Sequence, residues 1–445
     1  MAHIVCITGG LTGIFNASIA LVKHLEQAGH HVTYASPKDW SDLTNQYNIP
    51  FVQLDPWIFD WQEPPLSRWQ KFRQLRERRN QGIKALGVEN FVETIKELKP
   101  DLLLIDMEMH PHIMTAVANK LPVALLCQFL SIWKRPHLPP IHTNIIPGKG
   151  LRGQWFGIEW TWFRYGWTKW REYQSERWQK MGVDRISVLR CYAKKIGYPF
   201  RERFGFKQSL VPYPHKAIPV LCFNALELDY PHVPHPSMHY IGPMVYENRH
   251  ESNVEPSTYK SLEQLFEKRQ LTGSSLIYCG CSSFNRGNQR FLKKLIEAVS
   301  NCLQWDLVIG VGNQLDLNQL GSLPSNVYAF NWTPQIQILK HADCGIINAG
   351  INSINECLYF GVPMLVYSLR RYDQNGNAAR IAYHGLGITG DIQQDKPTKI
   401  RQDIDNILNN QSYRIRVNRM RDCFDHYKHK SVAVQVVKDL LNEHK

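Results

Sequence analysis

Short apolar runs alternate with helix-type stretches through the first half of the chain. Between several of the runs, apolar residues recur at helical spacing, as in Asn16–Gln27 and Gly87–Glu97. The runs are predicted strands: His3–Thr8, His31–Ala35, Phe51–Leu54, Leu102–Ile105, Pro122–Cys127 and Pro219–Phe223. Strands that alternate with helices predict a parallel, doubly wound sheet.

The second half repeats this scheme, with a helix predicted over Gln289–Leu303 between its first two strands. Its predicted strands are Ser275–Tyr278, Asp306–Ile309, Val327–Phe330, Cys344–Ile347, Met364–Tyr367 and Gly387–Thr389. A Pro- and His-rich stretch, Tyr230–Pro243, separates the halves and is predicted to be the linker. We therefore expect an α/β protein of two Rossmann-like domains, with boundaries at 1–230, 231–250, 251–430 and 431–445.

The formal net charge of +13 favours an anionic partner, which is a phosphate-bearing ligand, an acidic membrane surface or nucleic acid. No recognised nucleic-acid module appears, so nucleic acid is not expected.

Cys6, Cys127, Cys222 and Cys344 lie inside apolar runs, as reduced core cysteines do. With no signal peptide and no apolar run of spanning length, the expectation is a cytoplasmic protein, with peripheral membrane contact left open. The His-rich linker lacks Cys or carboxylate partners, so no metal site is expected.

One long pattern of mixed chemistry runs from Trp332 to Gln374. The Trp332 indole can stack on a base. A predicted strand, Ala342–Ile347, leads through a turn of small residues into a new helix, whose first backbone N–H groups would face a diphosphate. Glu356 lies one helical turn past Ser353 and can accept hydrogen bonds from ribose hydroxyls.

This spacing resembles the donor-binding motif of family 1 glycosyltransferases, which transfer sugars from nucleotide donors. The resemblance implies the GT-B fold, with two Rossmann-like domains facing across a cleft and a C-terminal helix packed back on the first, acceptor-binding domain. It implies inverting transfer, without a metal or a separate cofactor, of a hexose (glucose, given Gln374) from a nucleoside-diphosphate sugar, with UDP-sugar favoured. The donor-binding residues that it implies are Gly280, Ser282, Trp332, Gln335, Asn348, Gly350, Asn352, Ser353, Glu356, Asp373 and Gln374.

Two positions depart from the family pattern. Asn348 stands where the family usually has a His that donates to a phosphate oxygen. An amide carries no charge, and charge-assisted hydrogen bonds are roughly twice as strong as neutral ones. We therefore expect weaker donor binding or compensation by a basic residue, for which Arg286, Arg370 and Arg371 are candidates. Ile14, on the acceptor side, stands where the family has its general base.

A substitute base is therefore needed, and the candidates follow the fourth strand. They are Asp106, Glu108 and His110, with His112 nearby. Asp106 falls where the family places the Asp that orients its base. It would act directly or through His110. Alternatively, Asp106 only caps a helix near Pro111, or the acceptor is already ionised and needs no base. These alternatives remain open.

An aromatic, basic segment runs from Trp155 to Trp178 and holds six of the thirteen Trp residues. A second basic stretch, Arg68–Arg79, contains two further aromatic residues. In the resembled family both regions lie on the acceptor side, so Trp155, Trp160 and Trp162 are acceptor-side candidates. Three hypotheses stand: contact with an anionic membrane, an aromatic wall for an apolar acceptor, or ordinary packing of a helix pair.

The first function hypothesis is a glycosyltransferase acting on a hydrophobic acceptor such as a lipid, terpenoid, carotenoid or polyketide. The second is a catalytically silent relative that binds a sugar nucleotide and partners an active transferase, because both family His positions are replaced. A sugar-nucleotide epimerase is a third, weaker hypothesis.

Overall fold

Two parallel β-sheets, one in each half of the chain, form the framework of the computed structural model, which describes residues 1–58, 65–206, 208, 214–251, 253–280, 289–312 and 315–443. The strands of the first sheet are β1 His3–Ile7, β2 His31–Ser36, β3 Phe51–Gln53, β4 Leu102–Asp106, β5 Val123–Cys127, β6 Val220–Cys222 and β7 Met238–Tyr240. Those of the second are β8 Ser275–Gly280, β9 Trp305–Gly310, β10 Val327–Phe330, β11 Cys344–Ile347, β12 Met364–Val366 and β13 Gly387–Thr389.

The strand order is β3-β2-β1-β4-β5-β6-β7 in the first sheet and β10-β9-β8-β11-β12-β13 in the second. In the first sheet, successive strands are added on one side of β1 and then, from β4 onwards, on its other side. The same change of side occurs between β8 and β11 in the second sheet. In open parallel sheets, ligands bind in the crevice outside the carboxyl ends of the strands at such switch points. Asp106 ends β4, and Asn348 follows β11 directly.

Helices cover both faces of each sheet, which explains why the central strands are apolar along their whole length. In the first half they are α1 Thr12–Gln27, α2 Ser41–Gln46, α3 Arg68–Arg73, α4 Leu75–Lys84, α5 Phe91–Leu98, α6 His110–Ala118, α7 Gly150–Gly153, α8 Trp155–Lys180, α9 Arg185–Lys195 and α10 Phe200–Arg203. In the second half they are α11 Pro256–Thr272, α12 Gln289–Val299, α13 Gln335–Leu339, α14 Ile351–Tyr359, α15 Gln374–His384, α16 Pro397–Asn409, α17 Gln411–His429 and α18 Val432–Glu443. Among the described residues, none of these helices has both the length and the apolar character needed to cross a bilayer.

The α/β fold class with two parallel sheets is confirmed, and each of the twelve predicted strands coincides with an observed one within one or two residues. One strand lies where none was expected. The stretch Tyr230–Pro243, predicted to be linker, contains β7 at the edge of the first sheet. Its sequence, Met238-His239-Tyr240, is too short and too polar to give a period-2 pattern, and β6 provides the pairing partner.

The last helix, α18, belongs to the core of the first half although it ends the chain. Its buried residues Ala433, Val437 and Leu440 share one apolar cluster with α1 and with the face of β1 that includes Ile4 and Cys6. The chain therefore crosses from the second half back to the first through α17 and α18.

A buried ion pair joins the two halves. Asp229, in the segment that follows β6, accepts a hydrogen bond at 2.7 Å from Nε of Arg380 in α15, and Nη2 of Arg380 forms an ion pair with the same oxygen, Oδ1, at 2.6 Å. Both side chains are fully buried, and Arg380 also lies 4.5 Å from the ring centroid of Tyr230. Removing one partner of such a pair leaves an uncompensated charge in the interior.

We predict that Asp229→Ala lowers the free energy of unfolding by about 3–5 kcal/mol, because Arg380 is then buried without its counter-ion. The control is Arg370→Ala, since the Arg370–Asp391 pair has an Arg side chain that is 73% exposed. Exposed pairs contribute about 0–1 kcal/mol. Urea denaturation followed by circular dichroism measures both variants, and equal losses would contradict the prediction.

Candidate active site

The turn from β11 into α14 forms the centre of the candidate donor site. Ala349 adopts a left-handed conformation, with φ of +59°, which turns the chain sharply between Asn348 and Gly350. Helix α14 then begins at Ile351 without a side-chain cap. Its first N–H groups have no acceptor within the helix, and the helix dipole makes this end attractive to anions.

The Asn348 side chain is buried beside this turn. Its Nδ2 has no hydrogen-bond partner among the described residues. A buried amide without a partner costs free energy, which an oxygen atom of a bound ligand would recover. Asn348 therefore offers a neutral donor at the position where the resembled family usually has a His.

Glu356, one turn further along α14, lies at the centre of a buried polar network. Its Oε1 is 2.5 Å from Nη1 of Arg249, and its Oε2 accepts a hydrogen bond from Nε2 of Gln335. The Gln335 carbonyl in turn accepts from the Tyr278 hydroxyl at 3.1 Å. Strand β8, helix α13 and helix α14 thus hold the carboxylate in one orientation.

Arg249 is the residue of this network that the sequence analysis missed. It lies in the segment expected to be linker, and it bonds both Glu356 and, at 2.7 Å, Glu251. Burial opposes its charge, but Glu356 and Glu251 outweigh that effect and raise the pKa of the guanidinium. The sequence carries no periodic or motif signal for Arg249, because the pairing depends on how the linker folds over α14.

Gly280 and Trp332 lie at the carboxyl ends of β8 and β10, which are separated by β9 in the second sheet. Gly280 ends β8, and a Cβ there would lie 3.2 Å from Oε1 of Gln335, so a side chain would crowd the network. Trp332 follows β10 and is partly exposed. Ser282 and Arg286, which were also predicted to contribute, lie outside the described residues.

Asp373 and Gln374 begin α15. Asp373 is buried, which raises the pKa of its carboxyl group, and its Oδ2 accepts from Nδ2 of Asn377 at 2.8 Å. The same Asn377 amide donates to the Ala349 carbonyl at 3.0 Å, so the start of α15 is tied to the turn before α14. The Gln374 carbonyl accepts from the backbone N–H of Leu369 at 3.1 Å, which leaves its amide nitrogen as the group available to a sugar hydroxyl.

Asp106 and Glu108 form a carboxylate pair at the carboxyl end of β4. Asp106 accepts from the backbone N–H of Glu108 at 3.1 Å and of Gly9 at 3.3 Å. Burial raises the pKa of Asp106 to about 6 despite these bonds. Burial, and then the charge of Asp106, raise the pKa of Glu108 to about 7, while Arg185 opposes the shift. Asp373 of the second half adds to that shift, so it lies within electrostatic reach of this pair.

His110 lies in a different environment from the two carboxylates. Its Nδ1 is 3.1 Å from Nε2 of His215, whose other nitrogen is 2.9 Å from the Tyr198 hydroxyl. The imidazole is fully buried, and burial with the neighbouring His215 lowers its pKa well below the ordinary value. The structure therefore brings Asp106 and Glu108 together but directs His110 into the core.

The turn that opens α1 contacts α14 directly across the gap. Nδ2 of Asn352 donates to the Gly13 carbonyl at 2.9 Å. Ile14, the next residue, is buried in the apolar core with Ile4 and Leu126. The side chain at the expected base position thus packs inside the first domain, and Asn352 bridges the domains in the structure.

The predicted acceptor-side Trp residues occupy unlike positions on α8. Trp162 is buried with Ile145 and Ile158, and its Nε1 donates to the Leu138 carbonyl at 2.7 Å. Trp155 and Trp160 are exposed to solvent. Trp162 therefore fixes α8 onto the loop before it, whereas the other two side chains remain free to meet a partner.

A cavity of about 820 Å³ lies between the halves, at the carboxyl ends of β12 and β13. Asn144 and Lys149 of the first half line one side, and Arg370, Arg371 and Asn375 of the second half line the other. Its size is that of a small-molecule site. Arg370 and Arg371 give it a positive border.

Comparisons with known proteins agree with this geometry. Residues 294–440 match the family model described as "Erythromycin biosynthesis protein CIII-like, C-terminal domain". The oleandomycin glycosyltransferase of Streptomyces antibioticus is 23% identical over 407 residues, covering 89% of this chain and 80% of that protein. An uncharacterized UDP-glucosyltransferase of Bacillus subtilis, YdhE, is 25% identical over 191 residues, covering 43% of this chain, which spans about half (48%) of that relative.

Among solved structures, the calicheamicin glycosyltransferase CalG4 superposes with a TM-score of 0.66 at 18% identity, covering 99% of this chain and 98% of that one. The fold is therefore GT-B, the class with two Rossmann-like domains facing across a cleft. These relatives and this solved structure are glycosyltransferases, which agrees with the resemblance of the donor motif to family 1.

We predict that Asp106→Asn changes how stability depends on pH. The raised pKa means that the folded state holds its proton more tightly than the unfolded chain does. The contribution of Asp106 to stability is thus fully present below about pH 4 and is lost as pH rises through about 6. The variant should gain about 1–3 kcal/mol relative to the parent between about pH 4 and about pH 8.

Thermal unfolding at several pH values measures this difference, with exposed Asp422→Asn as the control. Parallel pH profiles for the parent and Asp106→Asn would show that Asp106 does not titrate as the geometry implies.

Proposed function

We propose that this chain is an inverting glycosyltransferase that moves a hexose, in the first instance glucose, from a UDP-sugar to an apolar acceptor. One observation carries the proposal: the switch points of the two sheets face each other, with the uncapped start of α14, Asn348 and Glu356 on one side and the Asp106–Glu108 pair on the other. Relatives named for UDP-glucose transfer and for oleandomycin support the donor class and a non-protein acceptor.

The donor is proposed to lie along the second sheet. The Trp332 indole stacks on the base, and Glu356 accepts from the ribose hydroxyls. The diphosphate meets the first N–H groups of α14 and the unpartnered amide of Asn348. Asp373 and the free amide of Gln374 bind the sugar hydroxyls. The positive end of α14 stabilises the charge that develops as the diphosphate leaves.

The acceptor is proposed to be activated by the Asp106–Glu108 pair. Burial raises the pKa values of the pair to about 6 and about 7. The pair therefore carries negative charge at neutral pH, and its pKa values lie close to that pH, which suits a general base. The pair takes the proton of an acceptor hydroxyl while the oxygen of that hydroxyl forms a bond to the anomeric carbon of the sugar. The bond from that carbon to the phosphate oxygen breaks, and the nucleoside diphosphate departs. This arrangement replaces the base that Ile14 does not provide.

Replacement of Glu356 tests the donor site. Glu356→Ala should raise the dissociation constant for UDP-glucose about tenfold to 100-fold, because a hydrogen bond to a charged group contributes about 1.5–3 kcal/mol. Isothermal titration calorimetry measures this value.

The matched control is Glu251→Ala, which removes the other carboxylate bound to Arg249 but no proposed ribose acceptor. If both variants bind the donor equally well, Glu356 serves only to neutralise Arg249 and the proposed ribose contact is wrong.

Replacement of Asp106 tests the chemistry. Asp106→Asn should lower turnover by about 10²–10⁴-fold with donor binding unchanged, since the proton acceptor is lost while the shape of the site is kept. Acceptor-dependent release of UDP and chromatography of the glycosylated product measure the rate. Asp101→Asn is the control, because Asp101 lies at the opposite, amino end of the same strand.

Full turnover in Asp106→Asn would remove Asp106 from the mechanism. Donor binding by the parent protein without turnover on any apolar acceptor would instead favour a silent relative that partners an active transferase.

A further inference from the structure

Helix α8 presents a continuous aromatic stripe to solvent. Phe156, Trp160, Phe163, Trp167 and Trp170 follow one another at alternating spacings of four and three residues, which places them on one face of a helix, and Trp178 extends the same face. The six side chains are 52–76% exposed. Among the 26 residues of α8 only Ile158 and Trp162 are buried, and they lie on the opposite face. Contiguous exposed apolar surface of this kind marks an interaction site.

A second aromatic and basic element adjoins the end of this stripe. Trp69 and Phe72 of α3 are exposed and stacked, with ring centroids 6.4 Å apart. Nη2 of Arg78 donates to the Lys180 carbonyl at 2.8 Å, and Nε of Arg79 donates to the Gly182 carbonyl at 3.2 Å. The pair α3–α4 is therefore fixed to the C-terminal end of α8, and the two elements form one surface.

This surface accounts for most of the net positive charge of the chain. Residues 68–84 and 155–180 hold twelve Lys and Arg against four Glu, a net charge of +8 out of the total of +13. Exposed Arg164 and Arg171 flank the stripe on α8, and exposed Arg68, Arg73 and Arg76 lie beside Trp69 and Phe72. The combination is an apolar strip bordered by cations.

We propose that this surface, α3, α4 and α8, docks on the face of an anionic phospholipid bilayer. Indole rings are amphipathic and lie at the headgroup level of membranes, and Lys and Arg near an anionic surface each contribute about 1 kcal/mol. A second copy of the chain is the less suitable occupant, because it would bring one surface of +8 against another. The stripe runs parallel to the helix axis from Phe156 to Trp178, over roughly 33 Å, which suits a helix lying in the plane of the interface.

The position of the surface gives the docking a consequence for the cleft. Helix α8 begins a few residues after Asn144 and Lys149, which line the cavity shared with Arg370 and Arg371. Near that end, Lys134 and Glu159 form an ion pair at 2.5 Å that ties the preceding loop to α8. A membrane-docked protein therefore holds this cavity close to the headgroups, where an acceptor dissolved in the bilayer can enter. This consequence depends on the proposed function, whereas the docking itself does not.

Vesicle flotation tests the docking without any reference to activity. The parent protein should float with vesicles of phosphatidylcholine containing phosphatidylglycerol and much less with phosphatidylcholine alone. The triple variant Trp160→Ser, Trp167→Ser and Trp170→Ser should lose flotation. Its control, Leu271→Ser, Leu303→Ser and Leu323→Ser, removes three exposed apolar side chains of the second domain and should float as the parent does.

Charge is tested by an equally matched pair. Arg73→Glu with Arg76→Glu should weaken the partition to anionic vesicles about tenfold or more. Arg419→Glu with Lys430→Glu makes the same change in net charge on exposed residues of α17 and its end, and should leave the partition nearly unchanged. Circular dichroism melting shows whether each variant is folded.

Three results would overturn the proposal. The first is flotation of the folded triple Trp variant at the parent level. The second is a dimer, found by analytical ultracentrifugation, that dissociates in that variant, since the stripe would then join two copies. The third is binding to a single-stranded oligonucleotide with no binding to anionic vesicles. If the parent protein docks on vesicles but transfers no sugar, the proposed function fails while the docking surface stands.

Discussion

The direction of the strands is the constraint on which the rest of the structure depends. Both sheets are parallel throughout, so every strand of a sheet ends at the same edge, and the two edges with carboxyl ends face one gap. The buried Asp229–Arg380 pair and the contact from Asn352 to the Gly13 carbonyl hold the two edges in register. Without this arrangement, Asp106 and Glu356 would be unrelated acidic residues 250 positions apart in the chain.

The carboxylates on the two sides of the gap have different electrostatic surroundings. On the second sheet, Arg249 and Gln335 contact the two oxygens of Glu356 and fix the orientation of that carboxylate. On the first sheet, burial raises the pKa values of Asp106 and Glu108 towards neutral pH. One carboxylate is therefore suited to accept hydrogen bonds from hydroxyl groups, and the other pair is suited to exchange a proton.

Ile14 and Asn348, the two residues that depart from the family pattern, each have a defined place in the structure. Ile14 packs into the core of the first domain, and Asp106 at the end of β4 accepts a hydrogen bond from the backbone N–H of Gly9, in the turn before α1. Asn348 supplies an amide in place of a charged ring, while Arg370 and Arg371 border the neighbouring cavity. These two arginines lie in the loop before α15, whereas the residue that directly follows β11 is uncharged.

The sequence by itself determined the sheets, their parallel direction and the donor motif, because strand and helix periodicity and the spacing from Trp332 to Gln374 are local properties of the chain. It also indicated Asp106 and Glu108, since they directly follow a predicted strand. Tertiary structure alone decided the rest. Strand β7 forms because β6 provides a strand to pair with. His110 points into the core because it contacts His215, 105 residues further along the chain. Arg249 contacts Glu356 because the linker folds over α14. The sequence showed that the segment of α8 is rich in aromatic residues. Which face of α8 is exposed depends on the hydrogen bond from Trp162 to the Leu138 carbonyl, because periodicity does not specify contacts between separate segments.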